Sequence, residues 1–368
     1  MNDTVPFLDI AAAVAEQRPE LDALWAKFLD SGMFIMGPEL AAFETSFANF
    51  TGTAHAIGVG NGLDALAFAL EAAGIGPGDE VIVPAHTFIA TWQAVRMIGA
   101  VPVAAEPAPG QYNSGAPEFD AAITPRTRAL VPVHLYGDPV AMEPVMALAA
   151  KHEIVVVEDA AQAHGARRNG QPMGSFGLAA SFSFYPAKNL GALGDGGAVV
   201  TSDAGLAERV SLLRNYGSVR KYEHDAHGRN SRLDPLQAAV LSLRLTRLEA
   251  WNAARRAIAA QYFTELAGMN GLTLPPQDPA NEPAWHLFVI RTAARDKLAA
   301  HLAEQGIGSL VHYPRPVYRF APFASAAPAS GSPADQLCTQ ILSLPIGPHQ
   351  SAAQTSRVVA AIKSYFGQ

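Results

Sequence analysis

Short apolar runs alternate with helical patterns between residues 54 and 201 of the chain. Runs rich in Val, Ile and Ala predict buried strands at 54–59, 80–84, 100–105, 129–135, 154–159, 179–185 and 197–201. Apolar residues that recur at the helical period predict helices at 11–30, 37–50, 63–73, 87–98 and 139–152. Apolar strands that alternate with helices are typical of an α/β fold, in which helices cover both faces of a mostly parallel sheet.

The pattern changes after residue 201. A helix is predicted at 206–216, and a polar stretch with glycine, basic residues and histidines follows at 217–232. The remaining chain predicts helices at 235–267, 295–304 and 352–365, and strands at 285–290 and 309–313. We therefore expect a large domain of residues 1–234 that includes the N-terminal helices. Residues 235–368 are expected to form a connector helix and a smaller α+β C-terminal domain.

Composition narrows the classes of function. The chain has 368 residues, of which 49% are hydrophobic and 16% charged, so it can bury a sizeable core. The net charge of −7 gives no reason to expect nucleic acid or an anionic membrane as a partner. The single cysteine, Cys338, excludes an internal disulfide and a multi-cysteine metal site. We expect no metal.

The start of the chain and its hydropathy bear on the compartment. Residues 1–4 lack the basic and then apolar pattern of a signal peptide. No run of about 18 apolar residues predicts a transmembrane helix. Because a single cysteine also fits a reducing compartment, we expect a cytoplasmic protein.

A glycine turn, Gly60-Asn61-Gly62, separates a predicted strand from a predicted helix. Backbone N–H groups at the start of a helix point outward, and the helix dipole there favours negative charge. The turn could therefore bind an anion. It could equally be an ordinary strand-to-helix connection, and the sequence leaves both interpretations open.

One lysine, Lys188, stands in a glycine-rich turn after the predicted strand at 179–185. A lysine that is kept from full solvation has a lowered pKa, and its neutral amine is a nucleophile. Asp159 ends another apolar strand, where a buried carboxylate needs a cationic partner such as a protonated pyridine nitrogen. Taken singly, Lys188 could be a solvated loop lysine and Asp159 could cap a helix.

A series of motifs along the chain favours a functional interpretation of Lys188 and Asp159. They are GNGLDAL at 60–66, VPAHTFIAT at 83–91, VEDAAQAHG at 157–165, SFSF at 181–184, KNLG at 188–191, GDGG at 194–197, NSRLD at 230–234 and QAA at 237–239. With these motifs the chain resembles the DegT/DnrJ/EryC1/StrS family of nucleotide-sugar aminotransferases. The resemblance covers nearly the whole chain and implies the fold of the fold-type I enzymes that use pyridoxal 5′-phosphate (PLP).

The resemblance also implies roles for individual residues. Lys188 would form a Schiff base with PLP, and Asp159 would hold the pyridine nitrogen. The other implied contacts are stacking on the ring by Phe88, the ring hydroxyl by Gln162, and the phosphate by the backbone amides of Gly62 and Leu63, by Ser183, and by Asn230 from the partner subunit. This last contact implies a homodimer with shared active sites and a large domain, residues 1–234, that binds PLP.

The polar stretch near residue 230 is the candidate for substrate binding. It carries basic and aromatic side chains in an otherwise acidic chain, namely Arg220, Lys221, Tyr222, His224, His227, Arg229 and Arg232. A solvated loop would explain them, but arginine also binds diphosphate through paired hydrogen bonds, and we favour this interpretation. Candidate sugar contacts are Tyr185, Tyr222, His312 and Tyr313.

The stretches at 215–234 and 343–349 resemble most closely the enzymes that aminate carbon 3 of dTDP-3-keto-6-deoxyhexoses. The expected reaction is transamination with L-glutamate to a dTDP-3-amino-3,6-dideoxyhexose. Alternatives are amination at carbon 4 of a UDP- or dTDP-4-keto sugar, and a non-catalytic, regulatory member of the fold. A pyridoxamine-dependent dehydratase is disfavoured because such relatives lack the lysine. The stretch after His312-Tyr313-Pro314 and the alanine at 187 depart from the usual family pattern, which leaves the exact sugar open.

Overall fold

The computed structural model describes residues 4–328 and 331–367, so residues 1–3, which enter the signal-peptide argument, lie outside it. Within these ranges no helix is long and apolar enough to cross a membrane. The helices are α1 (Ile10–Glu16), α2 (Arg18–Ser31), α3 (Pro38–Thr51), α4 (Gly62–Ala72), α5 (Ile89–Met97), α6 (Ala116–Asp120), α7 (Met142–His152), α8 (Ala204–Leu213), α9 (Pro235–Leu245), α10 (Leu248–Glu265), α11 (Arg295–Glu304), α12 (Pro333–Gln340) and α13 (Ala352–Phe366). The strands are β1 (His55–Val59), β2 (Glu80–Pro84), β3 (Val101–Ala105), β4 (Thr127–Leu130), β5 (Val155–Asp159), β6 (Arg167–Arg168), β7 (Gln171–Pro172), β8 (Ala179–Ser183), β9 (Gly197–Thr201), β10 (Ser218–Arg220), β11 (Glu223–His224), β12 (Asn281–Glu282), β13 (Phe288–Arg291) and β14 (Ile341–Leu344).

A central sheet runs in the order β1-β9-β8-β5-β4-β2-β3. Neighbouring strands are parallel except at β9, which is antiparallel to both β1 and β8. The mostly parallel sheet is therefore confirmed. Because β1, β2, β5 and β8 run in one direction, their carboxyl ends lie along the same edge, where open α/β sheets bind ligands.

Helices cover both faces of this sheet. In β2, Ile82 belongs to a core that contains residues of α3, α7 and α9, whereas Val81 and Val83 belong to a core with α4, α5 and α8. Side chains alternate between the faces of a strand, so a run that is apolar throughout must be buried on both sides. Each such side chain contributes about 1.5–3 kcal/mol when it leaves water. The α/β fold class is confirmed.

The C-terminal part packs around the antiparallel pair β13–β14. Its core contains residues of α10, α11 and α13, together with Val5, whose backbone pairs with Ile307. Helix α9 instead contributes Ala238 and Leu241 to the core of the central sheet. The two-domain division stays a prediction, and this packing favours a boundary between α9 and α10 over one at residue 234.

Proline and threonine break two of the predicted helices. The helix predicted at 11–30 is α1 and α2, because Pro19 has no N–H to continue the first helix and instead lies in the first turn of the second. The helix predicted at 235–267 is α9 and α10. The Thr246 hydroxyl donates to the Leu243 carbonyl at 2.7 Å, and the Arg247 N–H bonds the Arg244 carbonyl three residues back at 3.0 Å, so the helix ends.

Two predicted strands are also shorter than expected. The strand predicted at 129–135 ends at Leu130, and Tyr136 beyond it has a φ of +64°. Pro132 lacks an N–H for the sheet, although its carbonyl still accepts from the Asp159 N–H at 2.9 Å. The strand predicted at 309–313 is reduced to one bridge between Leu310 and Ser343, because the following residues line a cleft.

Candidate active site

A cleft of about 590 Å³ lies at the carboxyl ends of β1, β2, β5 and β8. This volume is in the range of small-molecule sites. Ten of the residues singled out from the sequence line it, namely Gly62, Leu63, Phe88, Asp159, Gln162, Ser183, Tyr185, Lys188, His312 and Tyr313. Their locations thus agree with a common site, while the contact assigned to each residue stays a prediction.

Lys188 lies in a tight turn after β8. Its backbone N–H donates to the Tyr185 carbonyl at 2.8 Å. A Cβ on Gly191 would lie 2.5 Å from the Pro186 carbonyl oxygen, so the turn needs a glycine there. Burial lowers the pKa of Lys188 to about 8, although the nearby Asp159 opposes the shift. The amine is therefore neutral over part of the physiological pH range and can act as a nucleophile.

Asp159 is the buried carboxylate of the cleft. Its oxygens accept from the Thr91 hydroxyl at 2.8 Å and from the Ala161 N–H at 3.2 Å. Burial nevertheless raises its pKa above the usual value, while these hydrogen bonds and the Lys188 charge act in the opposite direction. A cationic N–H donor in the cleft would stabilise the ionised form of Asp159, and a protonated pyridine nitrogen is such a donor.

The N-terminus of α4 forms the other end of the cleft. Asn61 caps this helix by accepting from the Asp64 N–H at 2.8 Å, which leaves the N–H groups of Gly62 and Leu63 for a ligand. A Cβ on Gly62 would lie 2.5 Å from the Cβ of Ser183, so only glycine fits against this serine. Backbone N–H groups, a helix dipole and a hydroxyl together suit a phosphate.

Gln162, Tyr313 and Phe88 form a wall between these two ends. Gln162 accepts from the Tyr136 N–H at 2.6 Å and donates to the Tyr313 hydroxyl at 3.2 Å. The Phe88 ring packs on Tyr313 with centroids 5.4 Å apart and stays 51% exposed. An exposed aromatic ring facing a cleft is available to pack on a planar ligand.

Cys338 lies beside His86 but does not form a reactive pair with it. The Tyr136 hydroxyl donates to the His312 carbonyl, so at 2.7 Å it must accept the proton of His86 Nε2. The other ring nitrogen then accepts from the Cys338 thiol at 3.5 Å. Burial lowers the pKa of His86 to about 3 and raises that of Cys338 to about 12, which keeps both groups neutral. These surroundings favour a packing role for Cys338.

Eight residues predicted from the stretch 220–232 lie outside the cleft, on or beside the hairpin β10–β11. Arg229 pairs with Glu71 of α4 at 2.6 Å. The other contacts are Arg232 with the Asn215 carboxamide at 3.0 Å, His224 with the Tyr216 carbonyl at 2.9 Å, Lys221 over the Tyr222 ring at 5.1 Å, and a backbone bridge from Asn230 to Asn215. Within one chain these residues do not contribute to the cleft, and their roles stay predictions.

The stretch 312–320 divides between the cleft and the core. His312 and Tyr313 line the cleft, whereas Tyr318 is buried against Trp92 and Arg319 pairs with Asp335. Sequence reasoning missed Thr91, Tyr136 and His286, of which Thr91 and His286 line the cleft. A histidine within an apolar strand pattern was the one available signal for His286.

Comparison with known proteins identifies the class. The model of the DegT/DnrJ/EryC1/StrS aminotransferase family matches residues 16–363, and the chain belongs to this family. It is 53% identical to a dTDP-3-amino-3,4,6-trideoxy-α-D-glucose transaminase of Streptomyces venezuelae, over 98% of this chain and 96% of that protein. The family consists of PLP-dependent sugar aminotransferases.

Two solved structures extend the similarity to the fold. The crystal structure of S. venezuelae DesV in complex with a ketimine intermediate has a TM-score of 0.97 and 52% identity, over 99% of each chain. The structure of NtdA from Bacillus subtilis with bound pyridoxamine phosphate has a TM-score of 0.93 and 28% identity, over all of this chain and 86% of that one. The expected fold-type and family are thereby confirmed.

Proposed function

We propose that the protein transfers an amino group from L-glutamate to a dTDP-3-keto-6-deoxyhexose, with PLP as cofactor. The observation that carries the proposal is a desolvated lysine amine and a buried carboxylate in one cleft that ends at an anion-binding helix N-terminus. The residues present fit PLP, because Asp159 suits its ring nitrogen, α4 its phosphate and Lys188 its aldehyde. The sugar transaminases among its relatives support carbon 3 and the dTDP nucleotide.

The chain's own residues hold the cofactor and its substrate. The N–H groups of Gly62 and Leu63 and the Ser183 hydroxyl would bind the phosphate, and Phe88 would pack on the ring. Asp159 would keep the ring nitrogen protonated. When bound, PLP supplies an electron sink that stabilises negative charge on the carbon next to the amine. Gln162, whose carboxamide donates to the Tyr313 hydroxyl, would bind the ring hydroxyl.

Lys188 moves the protons of the reaction. With PLP bound, its neutral amine would take the proton from the α-carbon of L-glutamate and deliver it to the C4′ position. For the keto-sugar it moves a proton in the opposite direction, onto carbon 3. A pKa of about 8 suits both tasks, because neutral and charged forms are both populated near neutral pH.

The pH dependence of cofactor uptake tests the state of Lys188. Because burial lowers its pKa from 10.5 to about 8, the neutral amine forms as the pH rises through about 8. We expect the rate at which cofactor-free protein takes up PLP to rise with a midpoint near that pH, measured by the absorbance of the lysine adduct. A midpoint close to 10.5 would mean that Lys188 is solvated.

A homodimer explains the residues that lie outside the cleft. The hairpin β10–β11 is exposed, and Tyr222 on it is 83% exposed. Helix α2 and the following turn also expose a patch of large apolar side chains, namely Trp25, Leu29, Met33, Phe34 and Ile35. Patches of this kind mark interaction surfaces. We propose that a second copy covers this patch, and that the hairpin brings Asn230 to the cofactor phosphate and its basic residues to the nucleotide diphosphate of the other subunit.

Mixing two inactive variants tests this shared site. Lys188→Ala and Asn230→Ala should each be weakly active alone. If Asn230 serves the partner's cleft, a mixed dimer contains one cleft with both native residues, so activity should rise when the two proteins are unfolded together and refolded. Refolding each variant by itself is the control. A mixture no more active than the mean of its parts would place Asn230 in the cleft of its own subunit.

Substrate specificity is tested with a panel of keto-sugars. The protein, loaded with PLP, is incubated with L-glutamate and dTDP- or UDP-linked 3-keto or 4-keto sugars, and NMR locates the amine in each product. We expect turnover of dTDP-linked 3-keto sugars. Turnover of 4-keto sugars alone would establish the 4-aminotransferase alternative. No turnover and no change in absorbance with glutamate would favour a non-catalytic, regulatory member of the fold.

A further inference from the structure

His286 lines the cleft beside Lys188 but has no role in the proposed transfer of protons. It precedes β13, and its Nδ1 lies 3.2 Å from the Oδ1 atom of Asn189, the residue after Lys188. In residues 4–328 and 331–367 the structure records no hydrogen bond to its Nε2. One ring nitrogen is thus held by the protein, and the other is available to a ligand.

A chain of hydrogen bonds fixes the orientation of this ring. The Asn252 Nδ2 donates to the His164 carbonyl at 2.8 Å, and a carbonyl can only accept, so Asn252 must turn its Oδ1 toward Asn189. Asn189 donates its Nδ2 to that oxygen at 2.9 Å and to the Ala284 carbonyl at 2.8 Å. Because Asn252 Oδ1 and the Ala284 carbonyl both accept from Asn189 Nδ2, the Asn189 Oδ1 atom must face His286.

The proton on the His286 ring follows from this orientation. Because Asn189 Oδ1 can only accept, His286 Nδ1 must carry the hydrogen and donate it. A neutral ring then has a bare lone pair on Nε2. Burial and the nearby charges of Lys188 and Arg255 hold the pKa of His286 well below its usual value, so the ring stays neutral.

We propose that His286 Nε2 accepts a hydrogen bond from a hydroxyl group of the keto-sugar next to its ketone. This inference deepens the proposed function and rests on it. Sugar hydroxyls donate hydrogen bonds, whereas the carboxylates of L-glutamate only accept and would meet a lone pair at Nε2. A neutral acceptor beside Lys188 therefore selects the sugar in preference to the amino donor.

The tautomer can be measured without any substrate. In PLP-loaded protein with ¹⁵N-labelled histidine, NMR distinguishes protonated from bare ring nitrogens, and loss of the signal in His286→Gln assigns it. We expect a hydrogen on Nδ1 and none on Nε2 at pH 7.5. Asn252→Leu, which removes the far end of the chain of hydrogen bonds without lining the cleft, should reduce this preference. A hydrogen on Nε2 in the native protein would overturn the inference.

Kinetics test the contact with the sugar. For a keto-sugar that has a hydroxyl next to the ketone, His286→Phe should lower kcat/KM about tenfold, the effect of one neutral hydrogen bond. The loss should be smaller for the matching deoxy sugar and for the half-reaction with L-glutamate. His286→Gln, which keeps an acceptor oxygen, should retain more activity with the hydroxylated sugar.

Two outcomes distinguish failure of the His286 contact from failure of the proposed transamination. An equal loss with the hydroxylated and the deoxy sugar would overturn the role of His286 and leave transamination intact. Failure of the native protein to change its absorbance with L-glutamate, or to turn over any keto-sugar, would overturn the proposed function itself. In that case the NMR measurement would still decide whether His286 is a neutral acceptor.

Discussion

Lys188→Ala is expected to lower transamination by about 10⁴-fold or more, because it removes both the nucleophile and the base that moves the protons. Alanine cannot attack the aldehyde of PLP, so the absorbance band of the lysine adduct should also disappear. The measurement is turnover of keto-sugar with L-glutamate, together with an absorption spectrum of the protein after addition of PLP.

Stability measurements and a second lysine provide the controls. Burial of Lys188 disfavours its charged form, so the alanine variant should unfold at a temperature no lower than the native protein without cofactor. Lys151→Ala, on the exposed end of α7, should retain full activity. A Lys188→Ala protein that keeps the absorbance band and more than about a hundredth of the activity would contradict the assignment.

Asp159→Asn should lower activity about 10²- to 10³-fold, the usual effect of removing one preorganised electrostatic group. The substitution preserves shape and can still accept from Thr91, but it removes the charge that keeps the ring nitrogen protonated. The rate of each half-reaction, followed by absorbance, measures the loss. Thr91→Val removes the 2.8 Å hydrogen bond to Asp159 and the 3.0 Å bond between the Thr91 and Thr87 hydroxyls but keeps the carboxylate, so it should have a smaller effect.

Stability separates a functional role for Asp159 from a structural one. Because burial raises its pKa, the ionised carboxylate is less stable in the folded protein than in the unfolded chain. Without PLP, Asp159→Asn should therefore leave the unfolding temperature unchanged or raise it. With PLP bound, the native protein should gain more stability than the variant. A large loss of stability without cofactor would mean that Asp159 mainly supports the fold.

The local sequence pattern predicts the site residues that lie at the carboxyl ends of strands. Strands β5 and β8 are neighbours, and Asp159 pairs in register with Ser181. The ends of parallel neighbours meet at one edge, so two apolar runs that end near Asp159 and Lys188 already bring these residues together. The glycine turn before α4 follows the same rule. Apolar alternation thus indicates both the fold class and the location of the site.

Residues far apart in the sequence required the tertiary structure. Gln162 meets Tyr313 across 151 positions, and Asn189 meets His286 across 97. Such pairs leave no periodic pattern in the sequence, because each residue of a pair, taken alone, resembles an ordinary polar residue. The family resemblance supplied a role for Gln162, but neither it nor the local pattern indicated that Asn189 orients His286.

By itself the sequence determined the α/β class and the seven strands of the central sheet in their order along the chain, because buried strands and helices have characteristic patterns of apolar residues. Only the tertiary structure decided where the long helices break, how the chain after Leu130 turns, and which neutral groups line the cleft beside Lys188. The helix breaks at Pro19 and Thr246 and the turn at Pro132 depend on single residues, whereas the groups beside Lys188 depend on hydrogen bonds between distant segments, such as that between Asn189 and His286. Neither leaves a periodic pattern in the sequence.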